Sequence, residues 1–180
     1  MSYYSHQKYL IEELNKLDYS KPVVVLEFGT GDGSASILQS FALKYPNLRI
    51  ESFENDFGWY DKMANKYPAD NYHFHHVDSW DKFFKNAEYG YFDEIYDLVF
   101  IDGSHSYEDV KKDIQNCKGK CKIIVCHDYG NLNDITMAVD EELSDFDLIL
   151  EDRMWKGAVY ENGIDRGGNK IDYGVVVKIQ

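Results

Sequence analysis

The residues best able to do chemistry lie where apolar runs end. The run Val23-Val-Val-Leu-Glu27-Phe28 closes on Gly29-Thr30-Gly31-Asp32-Gly33-Ser34. Glycines at alternate positions let a backbone turn tightly and approach a ligand closely, and a helix starting just after them presents unpaired N–H groups. The run at 49–54 closes on Glu54, a carboxylate suited to accept from two neighbouring hydroxyls, and the run at 72–77 is followed by Asp78 and Ser79, acceptors for an amino group. The run at 96–101 closes on Asp102-Gly-Ser-His105, and the run at 121–126 on His127-Asp128. Two carboxylates at neighbouring strand ends repel unless a cation or a proton lies between them. A histidine beside them has a pKa close to neutrality, as a proton acceptor requires.

Two ligand classes compete for the glycine loop. A dinucleotide fingerprint reads G-x-G-x-x-G; Gly29 and Gly31 fit it, but Ser34 stands at the third glycine. Asp32 would repel a pyrophosphate, whereas S-adenosylmethionine carries a positive sulfonium and no phosphate, and Glu27 favours the same choice. The expected cofactor-binding residues are Glu27, Gly29, Thr30, Gly31, Gly33, Ser34, Glu54, Asp78, Ser79 and Asp102. Gly31 is the position where a side chain is expected to clash with the ligand or to demand an unfavourable φ. For Asp78 an equal alternative is an N-cap on the helix that follows.

These residues need a scaffold that brings strand ends together. Short β-branched runs at 22–28, 49–54, 72–77, 96–101, 121–126, 146–150 and 173–179 alternate with amphipathic stretches at 7–17, 34–44, 57–66, 80–87, 107–116 and 133–143. That alternation predicts an α/β fold: a doubly wound, mostly parallel, seven-stranded sheet with helices on both faces. The connection between the last two runs is rich in Gly and Asp and has no helical period, so the last strand is expected to be antiparallel. With 180 residues the chain suits one domain: an N-terminal helix in 1–20, a cofactor-binding half in 21–129 and a substrate-side half in 130–180.

Composition narrows the partners. A formal charge of −13 repels a phosphate backbone, which argues for a small-molecule acceptor and against nucleic acid. Cys117, Cys121 and Cys126 are an odd, clustered set in and near an apolar run, read as buried free thiols in a reducing compartment. No basic leader or long apolar span is visible, so a cytoplasmic protein without membrane attachment is expected, and a homo-oligomer is compatible with the sequence. His73, His75 and His76 read as solvated or packed side chains rather than ligands.

Taken together, Val-Leu-Glu27-Phe-Gly-Thr-Gly-Asp-Gly, Phe53-Glu54, Val77-Asp78, Asp97-Leu-Val-Phe-Ile-Asp102-Gly-Ser-His105-Ser-Tyr107 and Cys126-His127-Asp128-Tyr129 resemble the class I methyltransferases over about residues 22–129. The later segments are similar to the group of macrocin-type O-methyltransferases and cephalosporin-hydroxylase-like proteins, many of them metal-dependent. The resemblance implies methyl transfer from S-adenosylmethionine to an oxygen of a sugar, polyol or catechol-like acceptor. It implies a divalent cation, magnesium or manganese, on Asp102 and Asp128 with His127 as a third ligand, and His105 as the base beside Asp102. Metal-dependent relatives often carry a further Asp or Asn where this chain has Tyr129. Three alternatives stand beside this reading: both acids capping helices and bonding the cofactor's amino group, a cofactor-binding protein without turnover, and an N-methyltransferase.

Overall fold

The computed structural model describes residues 5–77, 94–129, 132–152 and 175–179. Helix α1 (Ser5–Lys16) leads to β1 (Val23–Phe28), α2 (Asp32–Lys44), β2 (Leu48–Glu54), α3 (Phe57–Lys66) and β3 (Tyr72–His76). Then come β4 (Leu98–Ile101), α4 (Tyr107–Cys117), β5 (Ile123–His127), α5 (Asn133–Glu142), β6 (Asp147–Asp152) and β7 (Val175–Ile179). Asp78, Ser79 and the expected helix at 80–87 lie outside the described residues, as do the glycines of the connection from β6 to β7.

One sheet contains these strands in the order β3-β2-β1-β4-β5-β7-β6. From β3 to β5 neighbouring strands are parallel. Strand β7 pairs antiparallel with β5 on one side and with β6 on the other. This is a Rossmann-like α/β core. The chain moves outward from β1 to β3 and returns to lay β4 on the other side of β1, so the order reverses between β1 and β4. Ligand crevices form at such a reversal, beyond the carboxyl ends of the strands.

The central strands are continuous apolar runs because both of their faces are covered. One face carries Leu26, Phe28, Val99, Ile101, Ile124 and Cys126 against Val110 and Ile114 of α4 and Ile135, Ala138 and Val139 of α5. The other carries Val23, Val25, Ile50, Leu98 and Phe100 against Leu10 and Leu14 of α1 and Ile37, Leu38 and Phe41 of α2. Cys117, Cys121 and Cys126 are buried free thiols. No helix among the described residues is long and apolar enough to cross a membrane.

Helix α2 begins at Asp32, earlier than the apolar period alone indicates. A carboxylate in the first turn complements the positive end of the helix dipole. Gly33 and Ser34 therefore belong to that first turn rather than to the loop.

The glycine with a conformational demand is Gly29, not Gly31. Gly31 is extended, with φ −135° and ψ 158°, and a Cβ there would meet nothing within 4 Å. Gly29 has φ +79°, and a Cβ on it would run into the Asp102 carbonyl and the Gly103 Cα. The expectation that Gly31 needs an unfavourable φ is thus corrected: the strain-bearing turn comes two residues earlier, where the β1 loop touches the β4 loop.

Glu27 is the exception in an otherwise apolar strand. Its side chain is fully buried and receives hydrogen bonds from Ser52 Oγ and, at 3.2 Å, from the Tyr72 hydroxyl. Burial pushes its pKa up to about 7; the hydroxyls of Ser34, Ser52 and Tyr72 pull it down, and the charge of Asp102 adds to the rise.

Two expectations follow. In urea denaturation, Gly29→Ala should cost about 2–3 kcal/mol or more, while Gly31→Ala stays near wild type; equal losses at both positions would contradict the packing described here. Glu27 has a folded pKa above its unfolded one, so its ionisation penalty is absent at low pH and grows as pH rises through the carboxyl range to about 7. Glu27→Gln should therefore gain stability relative to wild type between pH 5 and pH ~7.5, and a melting-temperature difference that does not vary with pH would contradict it.

Candidate active site

The loop after β1 lies in the crevice between β2 and β4. The Gly29 N–H donates to the Phe53 carbonyl at 2.8 Å, and the Asp102 N–H donates to the Phe28 carbonyl at 2.9 Å. The ends of β1, β2 and β4 are thereby tied into one surface. The open space over Gly31, with no atom near a Cβ position, suits a ligand resting on bare backbone. Ser34 bonds back to the Gly31 carbonyl at 3.3 Å, which closes the first turn of α2.

Glu54, at the end of β2, is buried and already a hub. Its Oε2 accepts the Thr30 N–H at 3.2 Å, and its Oε1 accepts the Asn55 and Asp56 N–H groups at 2.8 Å each. Two carboxylate oxygens offer about four lone-pair directions, so room is left for a ligand hydroxyl. The Thr30 carbonyl accepts from the Trp59 indole N–H. Asp32 has partners that the sequence does not disclose. Its carboxylate receives Lys66 Nζ at 2.7 Å and the Tyr67 hydroxyl at 2.9 Å, and the Lys66 hydrogen bond holds its pKa below the usual range. The ion pair with Lys66 offsets part of the charge it would turn toward a phosphate.

Across the crevice, one atom each from Asp102, His105 and Asp128 lie within 4.8 Å of one another. His105 Nε2 is 3.0 Å from Asp128 Oδ2, and that contact raises the His105 pKa against the opposing effect of burial. His127 Nδ1 lies 2.7 Å from Asp102 Oδ1 and 3.6 Å from Asp128 Oδ2. His127 is largely buried and backs the Asp102 carboxylate, whereas His105 is well exposed and stands at the rim. A small cavity of about 10 Å³, room for roughly one water, separates these loops from Val110 and Ile135.

Asp128 has φ +57°, the one non-glycine residue with positive φ among the described residues. Such a conformation costs of order 1 kcal/mol or more and persists where surrounding structure imposes it, often at functional sites. Neither acid caps a helix: the N-cap of α4 is Ser106, whose side chain accepts from the Asp109 N–H, and that of α5 is Leu132. Tyr129 is buried and donates to Asp140 of α5 at 2.7 Å, so the residue after Asp128 is used in packing. His75 pairs with the buried Glu51 at 2.6 Å and stacks on Phe53 at 4.8 Å, away from the loops described. His73 and His76 are exposed.

The donor set fits a divalent cation. With the His105 imidazole as a ligand the set would suit manganese, iron or zinc better than magnesium, which prefers oxygen, whereas Asp102 and Asp128 alone suit any of them. The glycine loop and Glu54 fit a nucleoside-bearing cofactor. Trp59 and the Lys66–Tyr67 pair were missed from sequence; Trp59 and Lys66 sit in a helix that reads as ordinary amphipathic surface, and Tyr67 is its C-cap.

Comparison with known proteins agrees with this geometry. A family model described as a methyltransferase domain matches residues 26–129, more than half of the chain. A search of curated proteins finds no sequence match. Among solved structures the chain is similar to a precorrin-6y C5,15-methyltransferase from Geobacter metallireducens GS-15, with 21% identity and a TM-score of 0.60, over 97% of this chain and 87% of that one. Human methyltransferase-like protein 13 in complex with SAH is similar at 17% identity and a TM-score of 0.65, over 97% and 81%. A probable spermidine synthase from Corynebacterium glutamicum ATCC 13032 shares the fold at 11% identity and a TM-score of 0.60, over 99% and 64%. By its family match, its Rossmann-like sheet and its glycine loop, the chain belongs to the class I S-adenosylmethionine-dependent methyltransferases.

Proposed function

We propose that this methyltransferase acts on an oxygen of a small hydroxylated acceptor, a sugar, polyol or catechol-like molecule, with a divalent cation held at Asp102 and Asp128. The observation that carries this reading is the gathering of Asp102, His105 and Asp128 at the crevice, in backbone contact with the glycine loop through Gly29. The net charge of −13 favours a small acceptor over nucleic acid.

S-adenosylmethionine, when bound, supplies an electrophilic methyl group, and a cation supplies charge that eases deprotonation of the acceptor hydroxyl. The chain's own residues align and deprotonate. Gly29, Thr30, Gly31, Gly33 and Ser34 form the bed for the cofactor, and Glu54 offers its remaining lone pair to the ribose. Glu27 holds the loop from beneath rather than touching the ligand, since it is fully buried. Asp78 and Ser79 stay proposed for the adenine.

His105 is the base. With its Nε2–H donated to Asp128, the ring's lone pair falls on Nδ1, which takes the acceptor proton. Asp128 thus orients His105 as well as offering an oxygen to the cation. His127 fixes the Asp102 carboxylate from behind, which makes it an orienting partner first and a ligand second.

The test is production of S-adenosylhomocysteine with a panel of polyol and catechol acceptors. Chelation should abolish turnover and added manganese should restore it, Asp128→Asn should lose metal-dependent activity, and His105→Ala should lower kcat about 10²–10⁴-fold. Full turnover in the chelator would contradict the cation, and an unchanged rate in His105→Ala would contradict the base. A separate calorimetric titration should show Glu54→Gln binding S-adenosylhomocysteine about tenfold more weakly or worse, since a charged acceptor contributes roughly 1.5–3 kcal/mol; unchanged affinity would remove Glu54 from the site.

A further inference from the structure

Thr30 is gripped through its backbone on both sides. Its N–H donates to Glu54 Oε2 at 3.2 Å, and its carbonyl accepts the Trp59 indole N–H. Trp59 is itself fixed. Its backbone N–H donates to Asp56 Oδ1, the N-cap of α3, at 2.7 Å, and Lys62 Nζ lies 3.9 Å from its ring centroid. The first bond fixes where the helix starts, and the contacts with Lys62 and the Thr30 carbonyl hold the ring against the loop, with 36% of the residue exposed.

The consequence is set by peptide geometry. No peptide bond of the described residues is cis, and a trans peptide points its C=O and its N–H in opposite directions. An indole holding the Thr30 carbonyl therefore turns the Gly31 N–H away from Trp59. It does so at the residue where a Cβ would meet nothing within 4 Å. Glu54 holds the preceding peptide instead, because the Thr30 N–H it accepts belongs to Gly29–Thr30, and it accepts two further N–H groups besides.

We propose that Trp59 is a positioning residue for the cofactor: its indole N–H locks the Thr30–Gly31 peptide so that the Gly31 amide is presented to the ligand. This rests on the glycine loop being the S-adenosylmethionine site. Trp59 then keeps the loop in its binding form while Glu54, bonded to Thr30, Asn55 and Asp56, turns its remaining lone pair to the ribose. The ring need not touch the ligand, so the effect falls on cofactor affinity rather than on which acceptor is chosen.

The substitution that isolates the N–H is Trp59→Phe, which keeps an aromatic ring beneath Lys62. Calorimetry with S-adenosylhomocysteine should give a Kd raised about three- to tenfold, the worth of one hydrogen bond, with the melting temperature of the free protein close to wild type. In wild type, the Trp59 indole N–H signal, assigned from the backbone by triple-resonance spectra, should exchange more slowly with solvent when S-adenosylhomocysteine is added. Wild-type affinity in Trp59→Phe would overturn the inference, leaving the ring as packing. An indole signal that ignores the ligand would also overturn it, and that readout stands even if the variant folds poorly. No binding by wild type would overturn the cofactor reading itself, and this inference with it.

Discussion

The site depends on one close approach: Gly29, at the end of β1, lies against the backbone of Asp102 and Gly103 at the end of β4. No side chain fits between them, and the positive φ of Gly29 is what lets the chain leave the strand without one. That contact fuses two loops from opposite sides of the topological reversal into one floor. The glycine bed on one side and the Asp102–His105–Asp128 cluster on the other keep a fixed separation because the strands beneath them are buried on both faces. A methyl donor and an acceptor bound to such a floor are held in register, and alignment is the main thing a displacement at a sulfonium methyl requires.

A second constraint is electrostatic. The crevice collects carboxylates, and each is managed differently. Glu54 is satisfied by three backbone N–H groups, Asp32 by Lys66 and Tyr67, and Asp102 and Asp128 by two imidazoles. Glu27 has only hydroxyl partners, and burial drives its pKa to about 7. The two carboxylates that come closest together at the strand ends are Asp102 and Asp128, while Glu27 lies buried beneath the loop. A cation there, whether a metal ion or the sulfonium of the donor, relieves the mutual repulsion of these acids.

Much of this was legible in the sequence because strand ends are marked. A β-branched run followed by Gly-x-Gly or by an acid fixes where a ligand edge lies, and periodicity fixes which runs are helices between them. Glu54, Asp102, His105 and Asp128 could be named on that basis. What the chain could not disclose was direction and partnership. Whether Asp32 faces a ligand or Lys66 depends on how α3 packs, and nothing local to residue 32 records it. Likewise Gly29 and Gly31 are equivalent in spacing; only the approach of the β4 loop distinguishes them. Trp59 looked like a surface aromatic in an amphipathic helix, and its bond to Thr30 arises from two segments brought together by the pairing of β1 with β2. Tyr129, which follows Asp128 and carries no carboxylate of its own, is explained by its bond to Asp140.

The most direct test of the central claim is a paired calorimetric titration of the wild-type protein with S-adenosylhomocysteine and with NAD. The methyltransferase family match and Ser34 in the place of a third glycine predict one saturable site for S-adenosylhomocysteine and no heat of binding for NAD. Saturable NAD binding with a silent S-adenosylhomocysteine titration would contradict it.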